Sequence, residues 1–145
     1  MDYAKAQIAI KGYQISNYYD NGQTFQIYTT QNGVNWNALS SGLSYLKYAL
    51  SNGIPVIGVD DAPGSPGNLD NTTDHFVVIV GMGSDASGNY FTFFDNADNE
   101  IIKGASSFNK LYYNDLTGLI TGNSMTDYAS GLTYILTQIR KSKIK

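Results

Sequence analysis

The chain has 145 residues, 42% of them hydrophobic, enough for one domain with a real core and too few for two comfortable ones. Twelve acidic and nine basic residues leave a net charge of −3, and apart from the terminal "RKSKIK" the cations are scattered, a poor electrostatic footprint for nucleic acid. Cysteine is absent, which excludes disulfides and thiolate metal sites, and no apolar run reaches the length of a membrane span.

The start, "MDYAKAQIAIKGY", lacks the charged, then apolar, then small-residue order of a signal peptide. Its Tyr3, Ala4, Ala6, Ile8 and Ile10 fall at mixed three- and four-residue spacings with Gly12 as a terminator, which predicts a first helix of about three turns. "SNYYDNGQTFQIYTTQNGVN" is turn-rich, and within it "TFQIYTT" alternates as a loop or short strand would. A second helix follows: Asn35 or Asn37 caps it, Leu39, Leu43, Leu46 and Leu50 share one stripe, and Gly53 and Pro55 end it.

"IPVIGV" is apolar on both faces, as a central strand is. "DDAPGSPGNLDNTTD" is a long exposed loop, "HFVVIVGMG" a second buried strand, "SDASGN" a hairpin turn and "YFTFFD" an antiparallel aromatic strand. Beyond Asn96 the pattern weakens: "SSFNKLYYNDLTGLITG" reads as a short helix and a turn, "GLTYILTQIR" as a last strand, and the basic tail as a solvated terminus. Helices first and antiparallel strands after them predict an α+β domain spanning 1–145.

The one histidine, His75, opens a strand, and Asp95 closes the next, so antiparallel pairing brings both to one edge of the sheet. There a carboxylate can accept the imidazole N–H, fix its tautomer and stabilise the imidazolium, as in nucleophile–His–acid sites. The plainer alternative makes His75 a strand-edge residue and Asp95 a turn former.

"NGIPVIGVDD…TDHFVVIVGMGSDASGNYFTFFDNA" resembles the second half of the papain-like bacterial cysteine peptidases and amidases, most nearly the double-glycine-peptidase-like group and related cell-wall amidases. Gly53, Pro55 and Val56 match the turn into the first strand, Asp74, His75, Phe76, Val77, Val78 and Gly81 the second element, and Asp95 the end of the aromatic strand. The resemblance covers residues 37 to 100 and implies a papain-like fold, with N-terminal helices packed on an antiparallel sheet. It makes His75 the general base and Asp95 its orienting partner. Asn96 stands where the family has proline and could itself supply the orienting carbonyl. Asp74 contacts substrate or only caps the strand.

The family's cysteine sits at the N-terminus of the first long helix, where the dipole and the facing imidazole favour the thiolate. "DYAKAQIAIKGY" is similar to the body of that helix, and Tyr3 and Ala4 put the thiol immediately before Met1. Two readings follow: the chain is a truncated or C-terminal module of a longer protein, or it is a pseudoenzyme. Ser40 and Ser41, on the second helix, are weak substitutes as nucleophile, and Ser16 and Ser44 weaker still.

Other chemistry is excluded on pattern. The aspartate-rich loops lack the spacing of a helix–loop–helix calcium site, one histidine cannot build structural zinc, and "GMGSDASG" joins two strands where a phosphate loop would open a helix. The aromatics of "NYFTFF" and "KLYYND" line a groove for glycan or peptide, or pack the sheet.

The resemblance thus implies a cysteine peptidase or amidase that cleaves an amide bond in a peptide or in peptidoglycan, needs no cofactor or metal, and is inactive without its thiol. It also suggests an effector module of a secreted or exported bacterial protein, met by an inhibitor or immunity protein, with neither nucleic acid nor membrane as partner. The competing expectation is a non-catalytic module that binds through the same cleft.

Overall fold

The computed structural model describes residues 2–15, 20–61, 75–97 and 99–144. Helix α1 (Asp2–Ile10) turns at Gly12, whose φ of 79° only glycine adopts without strain, into strand β1 (Tyr13–Ile15). Short strands β2 (Thr24–Gln26), β3 (Tyr28–Thr29) and β4 (Gly33–Val34) lead to helix α2 (Trp36–Ser51). Asn35 caps α2, its side chain accepting the Ala38 N–H at 3.0 Å. Then come β5 (Val56–Asp61), β6 (His75–Asp85), β7 (Gly88–Phe94), the single turn α3 (Ile101–Gly104), β8 (Lys110–Tyr113), β9 (Ile120–Asn123), β10 (Tyr134–Arg140) and β11 (Ser142–Ile144).

The papain-like arrangement of N-terminal helices packed on a sheet is not what forms. Among the described residues strand outweighs helix by 41% to 22%, and six antiparallel strands close into a barrel. Around it run β10, β5, β6, β7, β8 and β9, and β9 pairs back onto β10 through Tyr134 opposite Gly122 and Ile135 opposite Thr121. The α+β expectation fails chiefly on "KLYYNDLTGLITG", read as a helix and a turn. It forms a hairpin, β8 and β9, with the Asn114 side chain accepting the Leu116 and Thr117 N–H groups in the connecting turn. The tail read as solvated also pairs: β11 lies against β1, with Tyr13 opposite Ile144.

Two strands adjust the closure. In β10 the register to β5 slips at Thr137, and the Thr137 carbonyl turns instead to the Ile27 N–H and the Gln26 side-chain amide. Such a bulge bends the strand, so its first half serves β9 and its second half β2. At Gly122 any Cβ would overlap the Lys110 carbonyl, so only glycine lets β8 and β9 approach as they do.

Inward side chains from β5, β6 and β7 (Val56, Val77, Ile79, Phe91, Phe93) meet Leu111, Ile120, Tyr134 and Leu136 in one core. Helix α2 contributes Leu39, Leu46 and Ala49, and its Leu43 lies beside Met82 and Phe91, which places the helix at one end of the barrel. His75 and Asp95 belong to the opposite end. Helix α1 is outside the wall, where fully buried Ile8 packs on Ile57 and Val78, a contact worth about 2 kcal/mol.

Candidate functional site

Strand alternation aims the site. His75 shares the inward face of β6 with Val77 and Ile79, and Asp95 continues the inward face of β7 after Phe93. Phe94 pairs with Val78, so Asp95 lies diagonally across from His75. The result is a contact of 2.6 Å between His75 Nε2 and Asp95 Oδ1. The Asp95 side chain has no exposed surface, whereas His75 keeps 14% of its own.

Asp95 is held from every side. Oδ1 also accepts the Ala97 N–H at 2.9 Å, and Oδ2 accepts the hydroxyls of Tyr134 at 2.9 Å and Thr126 at 3.3 Å. Its backbone N–H donates to the Gly104 carbonyl, and a Cβ on Gly104 would overlap the Asp95 carbonyl oxygen. Burial pushes the Asp95 carboxyl upward, but the hydrogen bond and charge of His75, with the hydroxyls of Ser124 and Tyr134, outweigh it and keep the group below its ordinary pKa. Asp95 is therefore a buried carboxylate whose charge is answered by four donors.

A further layer fixes those donors. Ser124 Oγ and Thr126 Oγ1 are 3.0 Å apart. Fully buried Asn109 donates through Nδ2 to the carbonyls of Lys103 and Gly104 and accepts the Met125 N–H at 2.7 Å, tying α3 to the segment that carries Thr126. The rings of Tyr128 and Tyr134 each stand 5.7 Å from the imidazole.

An ionised carboxylate offers only lone pairs, so Nε2 carries the shared proton and donates it. That tautomer makes Nδ1 the basic nitrogen. Asp95 also stabilises the imidazolium when Nδ1 takes a proton, which suits the pair to general acid–base work.

No family model, curated protein or solved structure matches this chain. The meaning of the site rests on its own geometry.

Of the residues singled out in the sequence, His75 and Asp95 are brought together. Asp95 rather than Asn96 is the residue on Nε2, and half-buried Asn96 occupies the turn between Asp95 and Ala97. Asp74 and Ser16 lie outside the described residues. Ser40 and Ser44 line a depression with Trp36, Lys47 and Tyr113 at the α2 end, and Ser41 is exposed on the same helix. Among the described residues no cluster of three or more His, Cys, Asp or Glu could hold a metal ion, and no helix is long and apolar enough to cross a membrane.

Sequence reasoning missed Tyr134, Thr126, Ser124, Asn109 and Tyr128. Only Tyr134 carried a signal, through its alternation with Leu132 and Leu136, and that signal gives a face without giving a partner for the hydroxyl.

Proposed function

We propose that the His75 end of the barrel is the base-and-orienter half of a hydrolase site that cleaves an amide bond in a peptide or in the peptide part of peptidoglycan. The observation that carries this reading is the 2.6 Å contact between His75 and the buried, four-times-bonded Asp95. The order of the two residues along "DHFVVIVG…YFTFFDNA", which resembles the bacterial cysteine peptidases and amidases, supports it further.

In this mechanism a thiol donates its proton to His75 Nδ1 and the thiolate attacks the amide carbonyl. The imidazolium, steadied by Asp95, returns the proton to the leaving amine as the C–N bond breaks, leaving a thioester. Nδ1 then deprotonates a water that attacks the thioester, which releases the acid and restores the thiol. The chain holds no cysteine, so a thiol must be supplied to it, and alone it hydrolyses nothing.

The resemblance puts that thiol just before α1. Gln7, Ile10 and Lys11 border a depression with Val78 and Val80, and Ile8 packs on Val78, so α1 lies along the outer face of β6. A cysteine at position 1 (Met1→Cys, exposed after a cleavable leader) should be alkylated by iodoacetamide at pH 6 about tenfold faster than the same thiol beside His75→Ala. It should also hydrolyse peptide or peptidoglycan substrates. A thiol titrating near the ordinary value of about 8.5 in both proteins would rule the reading out.

A second reading has one observation in its favour: of the serines considered as substitute nucleophiles, Ser40 and Ser44 sit at the far end of the barrel, with Trp36 and Tyr113. On that reading the same cleft binds peptide without cutting it. Peptide affinity that is lost in His75→Ala, with no turnover after a thiol is supplied, distinguishes it.

A further inference from the structure

The far end of the barrel carries features that the His75 site does not use. Three adjoining depressions run from α2 along the β6–β7–β8 wall to the β8–β9 turn, and Tyr113 borders all of them. The two larger have volumes of about 430 and 570 Å³, within the ~300–1,000 Å³ range of ordinary ligand sites.

Their lining has one chemical character. Two aromatic rings border the groove, Trp36, 53% exposed, at one end and Tyr113 in the middle, whereas the Tyr90 ring is covered by Gly83 and the Lys110 ammonium. Along the groove stand short uncharged hydrogen-bonding groups, among them Ser44, Ser84, Asn89 and Asn114. Formal charge on the lining is Lys47 and Asp115, one of each sign, and the Lys110–Asp85 pair against Tyr90 and Tyr112 is balanced in itself, so the net charge is zero.

We infer that this groove binds a neutral oligosaccharide. A sugar ring offers an apolar C–H face that lies well against an aromatic ring, and its rim of hydroxyls needs amide and hydroxyl partners. The Trp36 and Tyr113 rings, flanked by Ser and Asn side chains, supply both, and a lining without net charge matches a ligand without charge. A proline-rich peptide also docks on aromatic grooves, but it leaves most of the side-chain donors here without work. The inference does not depend on the catalytic reading, since none of these residues touches His75 or Asp95.

Trp36 is the only tryptophan of the chain, so its fluorescence reports on this groove alone. Titration of the full chain with the β-1,4-linked tetramers of N-acetylglucosamine and of glucose should give a saturable emission change with at least one of them. Tyr113→Ala should weaken it about tenfold and the exposed Asn89→Ala a few-fold, with far-UV circular dichroism verifying the fold of each. Because Tyr113 also touches the core, Asn89→Ala decides the matter if Tyr113→Ala does not fold. His75→Ala should bind as the parent does. No saturable change at about 10 mM of either sugar, or a change with a proline-rich peptide and neither sugar, would overturn the inference.

Discussion

Asp95 can lose its charge in two ways, by acid or by substitution, and both should have the same consequence. Its folded-state pKa lies below the unfolded value. The stability it contributes is therefore complete above about pH 4 and is lost as pH falls through the lowered folded value. Asp95→Asn keeps the shape and removes the charge that His75, Tyr134 and Thr126 answer. We expect urea unfolding at pH 7 to show a loss of about 2 kcal/mol and the decline of stability below pH 4 to become shallower than in the parent. An unchanged acid slope would mean that other carboxylates dominate it. At this scale the sequence was partly legible. His75 and Asp95 could be paired because a strand, a tight turn and a strand fix their relation over twenty residues. Thr126 and Tyr134 join Asp95 from 31 and 39 positions away, across connections whose path no local pattern reveals.

Elements follow a similar division. Both longer helices were readable, α2 down to its Asn35 cap, because a stripe at helical spacing and a stop at Gly53 and Pro55 are local signals. The β8–β9 hairpin was not readable, because four-residue strands are too short to show an alternation. What specifies it is turn chemistry at Asn114 and Gly118 together with the missing side chain at Gly122, and the latter can be tested directly. Gly122→Ala pushes a methyl group into the Lys110 carbonyl, backbone against backbone, where no rotamer change relieves the overlap. A loss of about 1–3 kcal/mol is expected, read as a lower thermal midpoint, and with it faster amide exchange at Leu111 than at Val77. Equal exchange at the two positions would show that β8 and β9 do not need the close approach.

The molecule as a whole is a ring of strands, and rings are not visible in alternation alone. Regular alternation in "GLTYILTQIR" would set Ile135, Thr137 and Ile139 on one face. Instead Tyr134 and Leu136 face the core, and then Ile139 does, because Thr137 is an extra residue that shifts the phase. Closing the ring is also what converts an expected open sheet into a barrel and buries Asp95 at its mouth. The slip at Thr137 has a consequence for how the ring could be opened. Deleting Thr137 would leave Tyr134, Leu136 and Ile139 in strict alternation and each on its present side, with β5 paired without interruption. No hydrophobic burial changes sign. What vanishes is the curvature that carries one end of β10 to β9, together with the carbonyl that holds Ile27. The deletion variant should therefore unzip along one seam: hydrogen exchange should quicken at Thr121 and Ile27 while Ile57 and Val78 stay protected. A single residue would then separate a flat sheet from a closed wall.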